Sequence, residues 1–295
     1  MPRSRLWNPG QCWMALSLGK DVHSNSRARP ARSRIAAMAF LIGAFCSVSL
    51  AAEPARPLVD LELVLAVDVS SSMSLSEQRV QRDGYVSAFR HPDLAGAIGS
   101  GARGMIAVSY LEWAGPNYQR VVLPWTIVGS YDDAKRFADA LAVEPVTAQA
   151  GTSISGALLS AGDLFAKSRT AAARRIIDVS GDGPNNAGLP VAPIRDRLTG
   201  SGITINGLPV SLPRGGSNGF QSFGEHYLNL YYERCVIGGP DSFLIGIDDL
   251  GQFEVAIRRK LLLEIAGMPA RPRLASYSPA GGRMFDCSMI GTTAR

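Results

Sequence analysis

The sequence predicts an α/β fold: a doubly wound, mostly parallel open sheet with helices on both faces. Three observations carry that expectation. Short apolar runs alternate along the chain with stretches of helical period. The first such run, residues 61–67, is apolar at every position but Glu62, as a strand buried on both faces requires. Finally, 46% of the 295 residues are hydrophobic and 19% charged. That is enough apolar material for a sizeable core, and it excludes a disordered, collagen-like or coiled-coil chain.

The elements follow in order. Residues 53–57 read as a linker around Pro54 and Pro57, ahead of one compact domain over 58–267. After the first strand, Ser74-x-x-Glu77 has the form of a capping box and opens a helix that runs to about Arg90, before Pro92. Residues 105–113 form a second strand. The turn-like Gly115-Pro116-Asn117 leads into a third over 119–128. Helices are expected over 131–141 and 154–167. A strand over 175–180, a helix over 191–199 and a strand over 203–208 come next. Residues 209–219, rich in Gly, Pro and Ser, read as a mobile loop. A short helix over 225–234 and a last strand over 243–247 precede Asp249-x-x-Gln252, which caps a final helix. That helix carries Phe253, Ile257, Leu261 and Ile265 on one face and ends at Gly267. Residues 268–295 are a Pro/Gly-rich tail.

Charge is unevenly placed. The chain has 30 basic and 25 acidic residues, a formal +5. Residues 1–52 hold seven of the basic side chains and one acidic, Asp21, which leaves 23 basic and 24 acidic for the remainder. The basic pI belongs to the leader. A nucleic-acid reading needs a basic face on the folded domain, and the sequence gives no strong sign of one.

Residues 35–52 are uncharged and follow Arg27, Arg29, Arg32 and Arg34. This is the order of a secretory signal: basic region, apolar region, small residues at a cut. Ser49-Leu50-Ala51 fits a cleavage site before Ala52, and Ala52 also fits as the last residue removed. An uncleaved membrane anchor is the other reading of this segment, whose length is near the spanning minimum. Both readings put the domain outside the cytoplasm, in the periplasm or the medium. Phe45 before Cys46 argues against a lipoprotein, and Met14 and Met38 are alternative starts. Cys12 and Cys46 lie in the leader. Cys235 and Cys287 remain, an even pair in an oxidising compartment. A disulfide between them is expected, against two free thiols or a bond to another chain.

Ligands of such sheets bind beyond the carboxyl ends of the strands, near the topological switch point. Asp68-Val69-Ser70-Ser71-Ser72 follows the first strand. Gly151-Thr152-Ser153 stands before a helix. Ser180-Gly181-Asp182-Gly183 closes the strand over 175–180. Three loops thus bring hydroxyls and carboxylates to one edge. Oxygen donors of this kind suit a hard divalent cation, Mg2+ foremost, with Mn2+ or Ca2+ as alternatives. Asp68 and Asp182 offer charge; Ser70, Ser72 and Thr152 offer neutral oxygens. An Asp-x-Ser-x-Ser match alone is weak evidence, because capping and turn hydrogen bonds use the same residues. The three-loop combination is far more specific.

The run Val64-Leu65-Ala66-Val67-Asp68-Val69-Ser70-Ser71-Ser72-Met73, with Gly151-Thr152-Ser153 and Ser180-Gly181-Asp182-Gly183, resembles the motif segments of a von Willebrand factor A-type domain. The resemblance covers about 58–267. More narrowly, Gln81-Arg82-Asp83-Gly84-Tyr85, the run 174–186 and the run 231–239 resemble an uncharacterised, secreted bacterial branch of that fold. It implies a Rossmann-type sheet, a metal-ion-dependent adhesion site (MIDAS) and binding of a partner; it implies no known biological role. Gly181 departs from the pattern, where Thr or Ser is more common. That departure is expected to alter local packing more than ligation.

Other residues have two readings each. Asp178 stands either behind the metal ligands or, more often for such a residue, as a buried acid satisfied by an Arg or by backbone donors. Glu112 and Trp113 either rim the partner surface or pack at the edge. Asn185 and Asn186 either shape the metal loop or form a turn. His91 and His226 have no spacing suited to zinc or to a catalytic triad.

The leading functional expectation is an exported binding module with no catalytic residues. It recognises a protein or envelope ligand through a carboxylate that completes the coordination of the cation. It needs no organic cofactor and no nucleic acid, and it meets a membrane only through an uncleaved leader. A metal-dependent hydrolase or phosphotransferase is the rival. Aspartyl phosphatases, however, need a second Asp where Ser70 stands, and no phosphate-binding G-x-x-x-x-G-K-[ST] loop is present. A degenerate domain with a purely structural role is a third reading.

Overall fold

The computed structural model describes residues 55–212, 225–267 and 287. All belong to one compact unit, Glu53–Arg295. The leader, Glu53 and Pro54 of the linker, residues 213–219 of the expected loop and the tail apart from Cys287 lie outside the described residues.

Five strands form one sheet: β1 (Leu58–Asp68), β2 (Ile106–Trp113), β3 (Gln119–Val128), β4 (Ala171–Gly181) and β5 (Thr204–Pro209). Their order is β3-β2-β1-β4-β5. β1 pairs in parallel with β2 and β4, and β4 with β5, while β3 returns antiparallel to β2. The α/β, mostly parallel sheet is thus observed. β1 sits in the middle, and the chain leaves it first toward β2 and later toward β4, so the switch point falls at its carboxyl end.

The apolar run of β1 feeds two cores. Leu61, Leu63, Leu65 and Val67 pack on α1 (Leu75–Arg90), α2 (Pro92–Gly99), α3 (Tyr131–Ala142) and α7 (Phe253–Ala266), through Tyr85, Phe89, Leu94, Phe137 and Ile257. Val64 and Ala66 point the other way, to α4 (Ile154–Ala166), α5 (Val191–Gly200) and α6 (Glu225–Tyr231). Period-two alternation with both faces covered explains why the run 61–67 spares only one position for an acid. That acid, Glu62, is buried and accepts hydrogen bonds from Ser168 Oγ at 2.5 Å and Thr170 Oγ1 at 2.6 Å.

The capping box at Ser74 is present: its hydroxyl accepts from Glu77 N, and the Glu77 carboxylate accepts from Ser74 N. Gly267 ends α7 in the left-handed conformation, φ 63°. Three local expectations change. Helix α2 was not anticipated; the chain restarts at once because His91 Nδ1 accepts from Asp93 N and Pro92 is pre-set for a first helical turn. Asp249 caps a 3-10 turn, Leu250–Gln252, and α7 begins only after it. Residues 243–247 bridge β5 at isolated points instead of forming a strand. The free edge of β5 is shared: Ile205 N donates to Gly238 O and Gly207 N to Phe243 O, so neither segment gets a continuous ladder.

Candidate functional site

Asp68, the last residue of β1, and Asp182, the first beyond β4, meet at the switch point. A hydrogen-bonded chain joins them. Ser70 N donates to Asp68 Oδ1 at 2.7 Å. The Ser70 and Ser72 hydroxyls are 2.7 Å apart, and Ser72 Oγ donates to Asp182 Oδ1 at 2.7 Å. All but Ser72 of these four are buried.

Thr152 joins through its backbone. Its N–H donates to Asn186 Oδ1 at 2.9 Å, and its carbonyl accepts from the N–H groups of Asn186 and Ala187. Residues 149–153 are also tied to the first loop: Ser71 N donates to Gln149 O, and Gln149 N to Val69 O. Gly151 makes that path feasible, with φ 83° and its Cβ position 3.2 Å from Gly115 Cα. Asn185, fully buried, accepts from Ser155 N at 3.0 Å and donates to Leu189 O at 3.2 Å. The two asparagines therefore shape the loops, one holding Thr152 and the other the start of α4.

Burial, then the charge of Asp182, raises the Asp68 carboxyl well above the ordinary carboxylate range. Asp68 Oδ2 is buried and has no hydrogen-bond partner. Two carboxylates with serine and threonine hydroxyls make an all-oxygen donor set, and the orphaned oxygen is the kind of group a hard divalent cation satisfies. Among the described residues no three His, Cys, Asp or Glu side chains gather as a metal cluster. A site of this composition, with only two acids, is not of that kind.

The remaining residues singled out in the sequence lie behind the edge. Asp178 is buried, with Lys260 Nζ 2.7 Å from its Oδ1. Burial raises its carboxyl while Lys260 pulls it back. Its counter-charge is a lysine where an arginine or backbone donors were expected. Glu112 and Trp113 are fully buried, which removes both from any exposed rim. Glu112 pairs with Arg82, and Arg120 Nη1 stands 3.5 Å from its other oxygen. Trp113 underlies the third loop, 3.2 Å from the position a Cβ on Gly181 would take. Cys235 is disulfide-bonded to Cys287, Cα atoms 5.5 Å apart.

Sequence reasoning missed three contributors. Gln78 Nε2 donates to Ser70 O at 2.9 Å and Gln81 Nε2 to Asp68 O at 3.3 Å, so α1 grips the first loop from beneath. Their signal was two amides at i and i+3 on the face of α1 that carries Tyr85. Tyr232 is the third. It gave no signal, because only the fold brings residue 232 under residue 181.

Residues 58–269 match the family described as Protein of unknown function (DUF1194). The chain belongs to this family. Solved structures carry the same fold. Proximal thread matrix protein 1 from the mussel byssus, in a form with a zinc-occupied MIDAS motif, aligns at TM-score 0.51 with 14% identity, covering 72% of this chain and 49% of that one. The pilus adhesin SpaC from Lactobacillus rhamnosus GG aligns at TM-score 0.50 with 12% identity, covering 71% of this chain and 31% of that one. The chain thus spans about half the length of the first and about a third of the second. No curated protein matches the sequence. This DUF1194 chain has the von Willebrand factor A-type fold that its motifs resemble. At such identities the likeness is one of fold. Among the described residues no helix is long and apolar enough to cross a membrane.

Proposed function

We propose that this DUF1194 chain is an exported binding module that holds a divalent cation between Asp68, Ser70, Ser72, Thr152 and Asp182 and recognises a protein or envelope ligand through it. One observation carries the reading: at the buried edge that Asp68 shares with Asp182, the Oδ2 of Asp68 has no hydrogen-bond partner. Mg2+ is the expected ion, with Mn2+ or Ca2+ as alternatives; a MIDAS motif holding zinc in a structure of the same fold supports a divalent site. When bound, the ion supplies a strong charge contact for a carboxylate of the partner. The protein's own part is to hold the donors fixed: Gln78 and Gln81 anchor the first loop, Asn186 the second, and Ser72 ties the first to the third. The likeness in fold to a pilus adhesin agrees with a binding role. Export rests on the basic leader and the uncharged segment over 35–52.

Two measurements test the reading. Calorimetry with Mg2+ and Mn2+ should show binding to the wild type and strong loss in folded Asp68→Ala; equal affinity in both would remove the site. Pull-down from an envelope extract should recover a partner in Mg2+ and lose it in chelator. Recovery in both conditions would leave the cation without a role in recognition.

A further inference from the structure

We propose that Tyr232 is a positioning residue of the cation site, supplying from the turn after α6 a hydroxyl that the strand side does not carry. The proposal rests on the metal reading above and goes beyond it. A Cβ on Gly181 would lie 2.8 Å from Tyr232 Oη, 3.0 Å from Asp68 Oδ2 and 3.2 Å from the Trp113 ring. The space beside Asp68 is therefore filled by the tyrosine hydroxyl, and residue 181 is glycine because Tyr232 is there. The phenol is fully buried, and its hydroxyl donates a long hydrogen bond to Gly181 O at 3.4 Å. A buried donor with a weak acceptor and a buried acceptor with no donor, Asp68 Oδ2, thus border the same point beside Gly181.

The backbone is built to hold it. After Tyr231 the helix widens into a single π turn, Tyr232–Val236. This turn lets successive tyrosines reach the loops: Tyr231 Oη accepts from Asn185 N at 3.3 Å, and Tyr232 reaches Gly181. Cys235 in the same turn is bonded to Cys287, which ties it down covalently. By filling the space beside Gly181, Tyr232 would set the Asp68 carboxylate toward the cation, much as outer partners set the ligands of other metal sites.

The test is Mg2+ calorimetry on the full chain as exported, comparing wild type, Asp68→Ala, Tyr232→Phe and the swapped pair Gly181→Ser with Tyr232→Phe. Tyr232→Phe should lower Mg2+ affinity by about tenfold. The swapped pair, which returns a hydroxyl from the strand side, should recover part of that loss. Unchanged affinity in Tyr232→Phe, with Asp68→Ala strongly impaired, would overturn the role of Tyr232 and leave the metal reading standing. A wild type that takes up neither Mg2+ nor Mn2+ overturns both. If Tyr232→Phe alone fails to fold, the swapped pair decides: affinity within about threefold of wild type supports the hydroxyl, and a tenfold loss in a folded pair overturns it.

Discussion

Two pairs of buried acids lie at different depths of the same sheet. Asp178 and Glu264 sit under its middle, with Lys260 Nζ 2.7 Å from Asp178 and hydrogen-bonded to Glu264. Asp68 and Asp182 sit at its carboxyl edge and are linked through serine hydroxyls and the Ser70 N–H. Burial raises the carboxyls of Asp68, Asp178 and Glu264, with desolvation the largest cause in each. The difference is the cation. The interior pair brings its own, as does Glu112 with Arg82. At the edge Asp68 Oδ2 has no hydrogen-bond partner, and the edge is where a cation can arrive from solution. Glu62, also buried, is met by two hydroxyls instead, and the unpartnered oxygen of Asp68 is what marks the edge as the proposed cation site.

Removing the inner cation should have the largest effect. Lys260→Met leaves Asp178 and Glu264 uncompensated, and unfolding in denaturant should show a loss of about 3–5 kcal/mol. A loss under 1 kcal/mol would mean that the two acids share a proton and need no lysine.

The inner pair also sets a pH dependence. Burial, then the charge of Asp178, pushes Glu264 up to about 7. Lys260 and Asn206 face it directly, while Tyr85 and Arg174 lie within its field. A carboxyl whose folded pKa is raised holds its proton more tightly in the folded state. Its contribution is therefore full below the unfolded value near ~4.3 and is lost as pH rises to about 7. The wild type in chelator should lose about 3 kcal/mol across that window, and Glu264→Gln should flatten the slope. The same slope in both proteins would assign the proton to Asp178.

The edge pair should respond with the opposite sign. Asp68→Asn keeps an acceptor for Ser70 N and removes one of two like charges. In chelator its stability should equal or exceed that of the wild type. Its Mg2+ affinity should fall by about a hundredfold, the upper end for disturbing even an outer partner of a metal. Destabilisation in chelator would show that the edge pair is already balanced from within.

The fold and the donors were legible for the same reason: both are written in local pattern. An apolar run with Asp68 at its end and Ser70 and Ser72 at period two declares a strand and its carboxyl edge together. The same holds for the capping box at Ser74 and the glycine stop at Gly267. What was illegible depends on which side chain meets which across the fold. Nothing near Asp178 announces Lys260, some 80 residues on, and nothing near Gly181 announces Tyr232. Glu112 and Trp113 read either as a rim or as edge packing because they end a strand. They are buried because Arg82 reaches one from α1 and the Gly181 loop covers the other. The isolated bridges of residues 243–247 arise likewise from competition for one strand edge, which no short window contains.

Ser72 gives the smallest effect and the finest division between the two kinds of acid pair. Its hydroxyl donates to Asp182 Oδ1 at 2.7 Å and is the only side-chain link between the first and third loops in the chain of bonds described above. Two roles are consistent with that position. If Ser72 only clamps Asp182, Ser72→Ala should cost about 1.5 kcal/mol of stability in chelator, the scale of a hydrogen bond to a charged group, and leave Mg2+ affinity nearly unchanged. If its oxygen is a donor to the cation, the loss should move to the bound state, with affinity down about tenfold and stability in chelator little altered. The second outcome is expected, because Ser72 is the one partly exposed member of the hydrogen-bonded set and solvent can replace it in the free protein. Calorimetry and denaturant unfolding on the same preparation separate the two.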